Sequence, residues 1–331
     1  MPATPPSALP VPVAEIVRSG FVEGHHYGSV VALTADGSVD WSVGAVHAPV
    51  LPRSCNKPLQ ALGMVRLGLD LPPDLLALAC ASHSGEPFHV EGVRRILAGA
   101  GLDESALRTP ADLPLDDTAR DQVLRSGGRA APVLMNCSGK HAAMLATCVV
   151  NGWDTVTYLD PDHPLQRGIA ATFAEMTGEE VEVVAVDGCG APLLSTSLVG
   201  LARAFARVAT GVDGSGAADA DAARIAAAIR THPAYVSGSA RDEKALLEAI
   251  PGAIGKAGAE SCYAVALPDG RAFALKTDDG APRVRPVLMA EALRRSGVDT
   301  EPGVDTEAVR ATGRVVLLGG GRPVGEIRAC Y

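Results

Sequence analysis

The sequence predicts an α/β (α+β) fold in which an antiparallel sheet is built from both ends of the chain and a mainly helical region lies between. Three observations lead there. Alternating and β-branched runs bounded by turn residues occur over 15–43 and again over 253–330, apolar residues at helical spacing dominate 57–231, and no internal repeat or low-complexity tract interrupts them. With 331 residues, 47% hydrophobic and 20% charged, the chain reads as a single domain, 1–331. Its sheet-containing part is 1–87 plus 251–331, and 88–250 is mainly helical.

In chain order, the proline-rich first ten residues read as a loose arm. Strands follow at 15–22, 28–34 and 39–43, the last two joined by a hairpin over Ala35-Asp36-Gly37. Helices are expected at 57–69, 73–80, 89–100, 117–125, 140–150, 164–176, 194–209 and 217–231, with a short strand at 181–186. Asp213 to Asp221, rich in Gly, Ala and Asp, is expected to be a mobile surface loop. After Ile250-Pro251-Gly252 strands return at 253–256, 261–267 and 272–277, with Pro268-Asp269-Gly270-Arg271 turning between the last two. A helix over 284–295 and a strand over 324–330 close the chain.

A net charge of −9 disfavours nucleic acid and anionic membrane surfaces as partners, which leaves a small molecule as the expected one. The N-terminal Met1-Pro2-Ala3-Thr4-Pro5-Pro6 has no basic n-region or apolar h-region, and no run of eighteen apolar residues occurs, so a cytoplasmic protein is expected. The seven cysteines are odd in number and irregularly spaced, and read mostly as reduced thiols.

The densest chemistry is Ser54-Cys55-Asn56-Lys57-Pro58, a hydroxyl and an amine three residues apart where a buried helix begins. Residues at i and i+3 share a helix face, so a neutral Lys57 is placed to take the proton of Ser54 as it attacks a carbonyl. Pro58 is tolerated in a first helical turn, and the apolar run Leu59, Leu62, Gly63, Val65, Leu67 turns this helix toward a core that would desolvate the lysine. The same four residues are also met by an N-cap serine followed by a solvated lysine.

Ser82-His83-Ser84-Gly85-Glu86-Pro87 is a turn dense in hydroxyls between two helices. It supplies either a second reactive serine or simply helix caps from Ser84 and Glu86. Asn136-Cys137-Ser138-Gly139-Lys140-His141 opens a helix whose free N–H groups suit a carboxylate; it lacks the upstream glycines of a phosphate-binding loop. Asp187-Gly188-Cys189-Gly190-Ala191-Pro192 is expected to have the same strand-turn-helix layout, and two thiols on two such turns can share a soft metal such as zinc. Lys256, between Gly255 and Gly258 at a strand edge, can reach a bound anion or a hydroxyl, or can serve as a solvated edge lysine.

Taken in order, these five motifs, beginning with Arg53-Ser54-Cys55-Asn56-Lys57-Pro58-Leu59-Gln60 and ending with Lys256-Ala257-Gly258-Ala259-Glu260, closely resemble the L-asparaginase II family of the Rhizobium etli inducible type, from about Val17 to Leu293. The resemblance implies hydrolysis of L-asparagine to L-aspartate and ammonia on a fold similar to serine β-lactamases, penicillin-binding proteins and glutaminases. It implies two Ser-Lys pairs, Ser54 with Lys57 and Ser82 with Lys256, and a zinc site at Cys137, Lys140 and Cys189. Arg53, His141, Asp187 and Gly188, within the same motifs, are the candidate substrate-binding positions. Gly24 and Ser84 stand where related chains more often carry serine and asparagine. A homodimer is expected from the family and from the general frequency of two-fold assemblies. The rival readings are a glutaminase or another amide hydrolase on the same fold, and a catalytically silent zinc or amino-acid binding protein.

Overall fold

The computed structural model describes residues 9–331, so most of the expected N-terminal arm lies outside the described residues. Among the described residues ten strands occur: β1 Val11–Arg18, β2 Phe21–Leu33, β3 Val39–Val43, β4 Val184–Val186, β5 Pro192–Leu194, β6 Ile254–Ala257, β7 Cys262–Ala266, β8 Ala272–Thr277, β9 Val315–Gly319 and β10 Arg322–Ala329. The helices are α1 Lys57–Arg66, α2 Pro73–Ala79, α3 Pro87–Gly99, α4 Asp117–Arg125, α5 Ser138–Asn151, α6 Pro164–Thr177, α7 Leu198–Thr210, α8 Ala220–Thr231, α9 Pro233–Val236, α10 Asp242–Ala249, α11 Arg285–Arg295 and α12 Thr306–Thr312. The expected architecture is the one observed, an antiparallel sheet from both chain ends with helices between. None of these helices is long and apolar enough to cross a membrane.

The chain divides into two compact units. The first comprises the chain up to Cys55, Thr196–Thr210 and Ala245–Tyr331, and the second Asn56–Ser195 and Gly211–Lys244. The division at Cys55 puts α1 and α2 with the helices, whereas α7 belongs with the sheet.

The first unit is an eight-stranded sheet in the order β6-β7-β8-β2-β1-β10-β9, with β3 also paired to β2, and every pairing is antiparallel. The β7–β8 ladder ends where Cys262 pairs with Lys276. Successive strand residues point to opposite faces, yet β7 is buried at every position and β2 from Ser29 to Leu33. Both faces of the central strands are thus covered, and α7 and α11 pack against them. This is why β7 and β8 read as continuous apolar runs rather than alternating ones.

In the second unit, α1 is buried from Lys57 to Val65 and α5 from Ser138 to Cys148, all the way round each helix. A Cβ added at Gly139 would lie 2.7 Å from both the carbonyl oxygen and Cγ of Leu78, so this glycine lets α5 touch the end of α2. The 181–186 strand is shorter than expected, and the segment after Asp187 returns as β5 rather than entering a helix. Pro192-Leu193-Leu194 is fully buried and pairs back on β4, which delays α7 to Leu198.

Candidate active site

In the second unit, Lys57 occupies the first turn of α1 and is completely buried. Its Nζ lies 2.5 Å from Ala81 O, 2.9 Å from Ser82 Oγ and 3.1 Å from Cys137 Sγ. An ammonium has three hydrogens for these three neighbours. A neutral amine has a lone pair to direct, and a carbonyl can only accept, so the Ser82 hydroxyl is the neighbour suited to donate to it. Ser82 is thus hydrogen-bonded to the lysine of the Ser54 motif.

The Ser82 turn is held from two directions. Ser82 N donates to Val236 O (3.1 Å), His83 N to Asn136 O (3.0 Å) and Ser84 Oγ to Ser237 O (2.8 Å). Glu86 makes no side-chain cap on α3; its Oε1 accepts from Ser239 N at 2.8 Å. Ser84 and Glu86 therefore tie the turn to 237–239 rather than capping helices.

Sequence reasoning passed over His83, which turns out to be the central pin of this turn. Its Nδ1 accepts from Gly85 N (3.1 Å), and its Nε2 lies 2.8 Å from Ser138 Oγ, which donates onward to Val133 O (2.7 Å). Ser138 thereby uses its hydrogen, and the ring is the Nε2–H tautomer. Burial, then the charges of His89 and Lys57, push His83 well below its ordinary range.

Cys137 and Cys189 meet, as the motifs suggested, although they come from the start of α5 and the tip of the β4–β5 hairpin. The hydrogen bond from the Cys137 thiol, with the Lys140 and His141 charges behind it, holds Cys189 far below the thiol range. Cys137 conversely keeps its proton, through that bond to Cys189 and through burial. Its Sγ also lies 3.1 Å from Asn136 Oδ1 and accepts from Lys57 Nζ at 3.1 Å. Lys140 Nζ lies 3.3 Å from Cys189 Sγ. Burial pulls the Lys140 amine down, but the Cys189, Cys137 and Asp187 charges outweigh it and the group is raised.

His141 is fully buried, with Nδ1 2.7 Å from the hydroxyl of Tyr158, a residue no motif signals. Its Nε2 has no hydrogen-bond partner. Burial lowers its affinity for a proton, opposed by Cys189. Asp187 and Gly188 form the partly open side of the same hairpin turn, closed by Gly190 N donating to Asp187 O at 2.8 Å.

Among the described residues no group of three His, Cys, Asp or Glu side chains is placed to hold a metal. The expected set contains only two such residues, its third donor being an amine. The two sulfurs, Lys140 in its neutral form and the orphaned Nε2 of His141 nevertheless make a donor set whose chemistry suits zinc.

In the first unit, Ser54 stands in a short 3-10 helix, Arg53–Asn56, and is 9% exposed. Cys55 Sγ donates to Lys256 O (3.0 Å), which fastens this helix to β6. Lys256 is completely buried, and its Nζ donates to Ala257 O at 2.7 Å. A Cβ on Gly258 would lie 2.8 Å from Pro52 O and 3.1 Å from Ser54 N, so the turn after β6 rests directly on the Ser54 backbone. Arg53 faces Glu260 across this contact at 3.5 Å.

The L-asparaginase II family model matches residues 14–329. No curated protein matches the chain. Among solved structures, a β-lactamase from Mycobacterium bovis is 16% identical, over 87% of this chain and 96% of that one, with a TM-score of 0.46. EstCE1, described as a hydrolase with promiscuous acyltransferase activity, is 16% identical over 82% of this chain and 93% of its own, with a TM-score of 0.43. Mglu in its tris and glutamate form is 13% identical over 87% of this chain, which spans 63% of the Mglu chain, with a TM-score of 0.39. At these identities and TM-scores the likenesses carry no argument.

Proposed function

Because the chain belongs to the L-asparaginase II family, we propose that this amide hydrolase converts L-asparagine to L-aspartate and ammonia through a Ser-Lys acyl-enzyme. The observation that carries the reading is the 2.9 Å contact between a fully buried lysine, Lys57, and the Ser82 hydroxyl.

Ser54 Oγ attacks the side-chain amide carbon, forming the C–O bond, while its proton passes to neutral Lys57 three residues on. Backbone N–H groups at helix starts hold the oxyanion. As the intermediate collapses, the C–N bond breaks and Lys57 returns the proton through Ser82 to the leaving nitrogen, which departs as ammonia. Water then adds to the ester, gives a proton to Lys57, and the second collapse releases aspartate and restores the Ser54 hydroxyl. Lys256 completes the set by polarising the nucleophile. Arg53, His141, Asp187 and Gly188 are proposed to bind substrate.

Cys137, Cys189 and Lys140 would hold zinc, with His141 beside them. When bound, the ion supplies a fixed positive charge that replaces the Lys140 ammonium and orders the pocket wall. The chain's own residues carry every proton in the steps above. A cytoplasmic homodimer is proposed with this activity, on the family and on the frequency of two-fold assemblies.

Ammonia release by wild type and by Ser54→Ala, from L-asparagine and L-glutamine in parallel, tests the assignment. Release selective for asparagine and abolished by the substitution is the expected result. Release from glutamine alone would make the protein a glutaminase, and none from either amide, with zinc supplied, would remove the function.

A further inference from the structure

Four non-glycine residues among those described adopt the left-handed backbone region: Ser19, Arg53, Glu260 and Ser261. Ser19 belongs to a hairpin turn that ordinarily requires it. The other three come together at one place, the contact between the Ser54 helix and the turn after β6. Arg53 has φ +51°, Glu260 +54° and Ser261 +52°. Such backbone is costly for side-chain-bearing residues, and an exposed ion pair at 3.5 Å recovers less than that cost. The strained backbone is what sets these two side chains beside each other.

The turn is nonetheless built to hold it. Gly258 has no side chain where one would strike the backbone at Pro52, Ser54 and Cys55. Gly280 leaves room for the Glu260 carboxylate, since a Cβ there would sit 2.2 Å from its Oε2. Lys276 Nζ donates to the Glu260 carbonyl at 2.9 Å. The outcome is a guanidinium, its side chain 23% exposed, and a carboxylate 56% exposed, presented side by side at the surface.

We propose that Arg53 and Glu260 form a clamp for the zwitterionic end of an α-amino acid, the guanidinium taking the α-carboxylate and the Glu260 carboxylate taking the α-ammonium. This deepens the asparaginase reading and rests on it for the identity of the reacting amide. An α-amino acid carries its two opposite charges on one carbon, a spacing on the scale of the Arg53–Glu260 separation, so it can lie antiparallel across the pair with both charges matched. Arg53 immediately precedes Ser54 in the same short helix, which ties the clamp to the segment that carries the hydroxyl. The ligand class selected is a free amino acid, and an amide lacking the α-amino group is discriminated against by leaving Glu260 unmatched.

The test compares wild type with Glu260→Gln, isosteric and neutral, on L-asparagine and on succinamate, which is asparagine without its α-amino group. The expected result is a fall of about 10- to 100-fold in kcat/KM for asparagine, carried by KM, with succinamate unchanged. Equal losses on both substrates, or no loss on either, overturn the clamp. Affinities for L-aspartate and succinate, measured by calorimetry, keep the test independent of turnover. Wild type should prefer aspartate and the variant should lose that preference; a wild type without it refutes the clamp, whereas a preference without ammonia release would sink the asparaginase reading alone.

Discussion

Replacing Lys57 by methionine removes the amine and keeps an unbranched chain to fill a site with no solvent exposure. The variant loses contacts to Ala81 O at 2.5 Å, Ser82 Oγ at 2.9 Å and Cys137 Sγ at 3.1 Å. Hydrogen bonds of a neutral amine are worth about 0.5–1.5 kcal/mol each, and the buried Ala81 carbonyl left without its lysine adds about 1–3 kcal/mol more. Against this, methionine removes the cost of burying a polar amine, on the order of 1–3 kcal/mol, and nearly conserves volume. The loss is partly offset, so unfolding stability should fall by about 2–4 kcal/mol. Activity has no such compensation, because a thioether cannot accept the proton of either serine. A general base contributes about 10² to 10⁴ in rate, so kcat should fall by about 10³, or about 4 kcal/mol of barrier. Urea unfolding followed by circular dichroism reads the first quantity, and steady-state ammonia release from L-asparagine the second. A folded variant that keeps more than about a tenth of wild-type kcat would show that the amine is not the base.

Two further outcomes follow from the buried groups. Protein purified with zinc supplied should carry about one zinc per chain by elemental analysis, and Cys189→Ala should abolish it. That substitution also removes the sulfur 3.3 Å from the buried Lys140 amine, at a cost of about 1–3 kcal/mol in urea unfolding; a wild type that takes up no zinc would exclude the metal. Acid should destabilise the protein through His89, which burial lowers from 6.5 to about 4. The unfolded chain binds that proton first, so the contribution is complete above pH 6.5 and is lost as pH falls toward 4. The loss reaches about 3 kcal/mol by pH 4 from this residue, and His83 adds in the same direction. A melting temperature that is flat between pH 7 and pH 4.5 would contradict this.

Local chemistry was legible along the chain. Most strands of both ends, the helices from α1 to α8 and the placement of Ser54, Lys57, Ser82, Cys137, Lys140, Cys189 and Lys256 at element boundaries follow from periodicity, proline and glycine, which act over a few residues, although the strand expected over 15–22 crosses the turn between β1 and β2. Less was legible where neighbours are distant. Nothing in the Val181–Leu194 segment signals that it doubles back as a hairpin, because a three-residue buried strand has no period to read. β9 and α12 escaped for the same reason, being short and, in β9, largely exposed.

By itself the sequence determined the family, most of the elements in their order and the inventory of reactive side chains, since each of these is written in residue identity and short spacing. Tertiary structure alone decided who touches whom. Lys57 meets Ser82 and Cys137, 25 and 80 residues away, and the proton affinities of the two sulfurs shift in opposite directions only once they are brought together beside Lys140. Glu260 stands out only when its strained backbone is seen against that of Arg53, 207 residues earlier. Hydrogen bonds, desolvation and charge coupling depend on separation in space, and the chain's own spacing does not encode that separation beyond a helical turn.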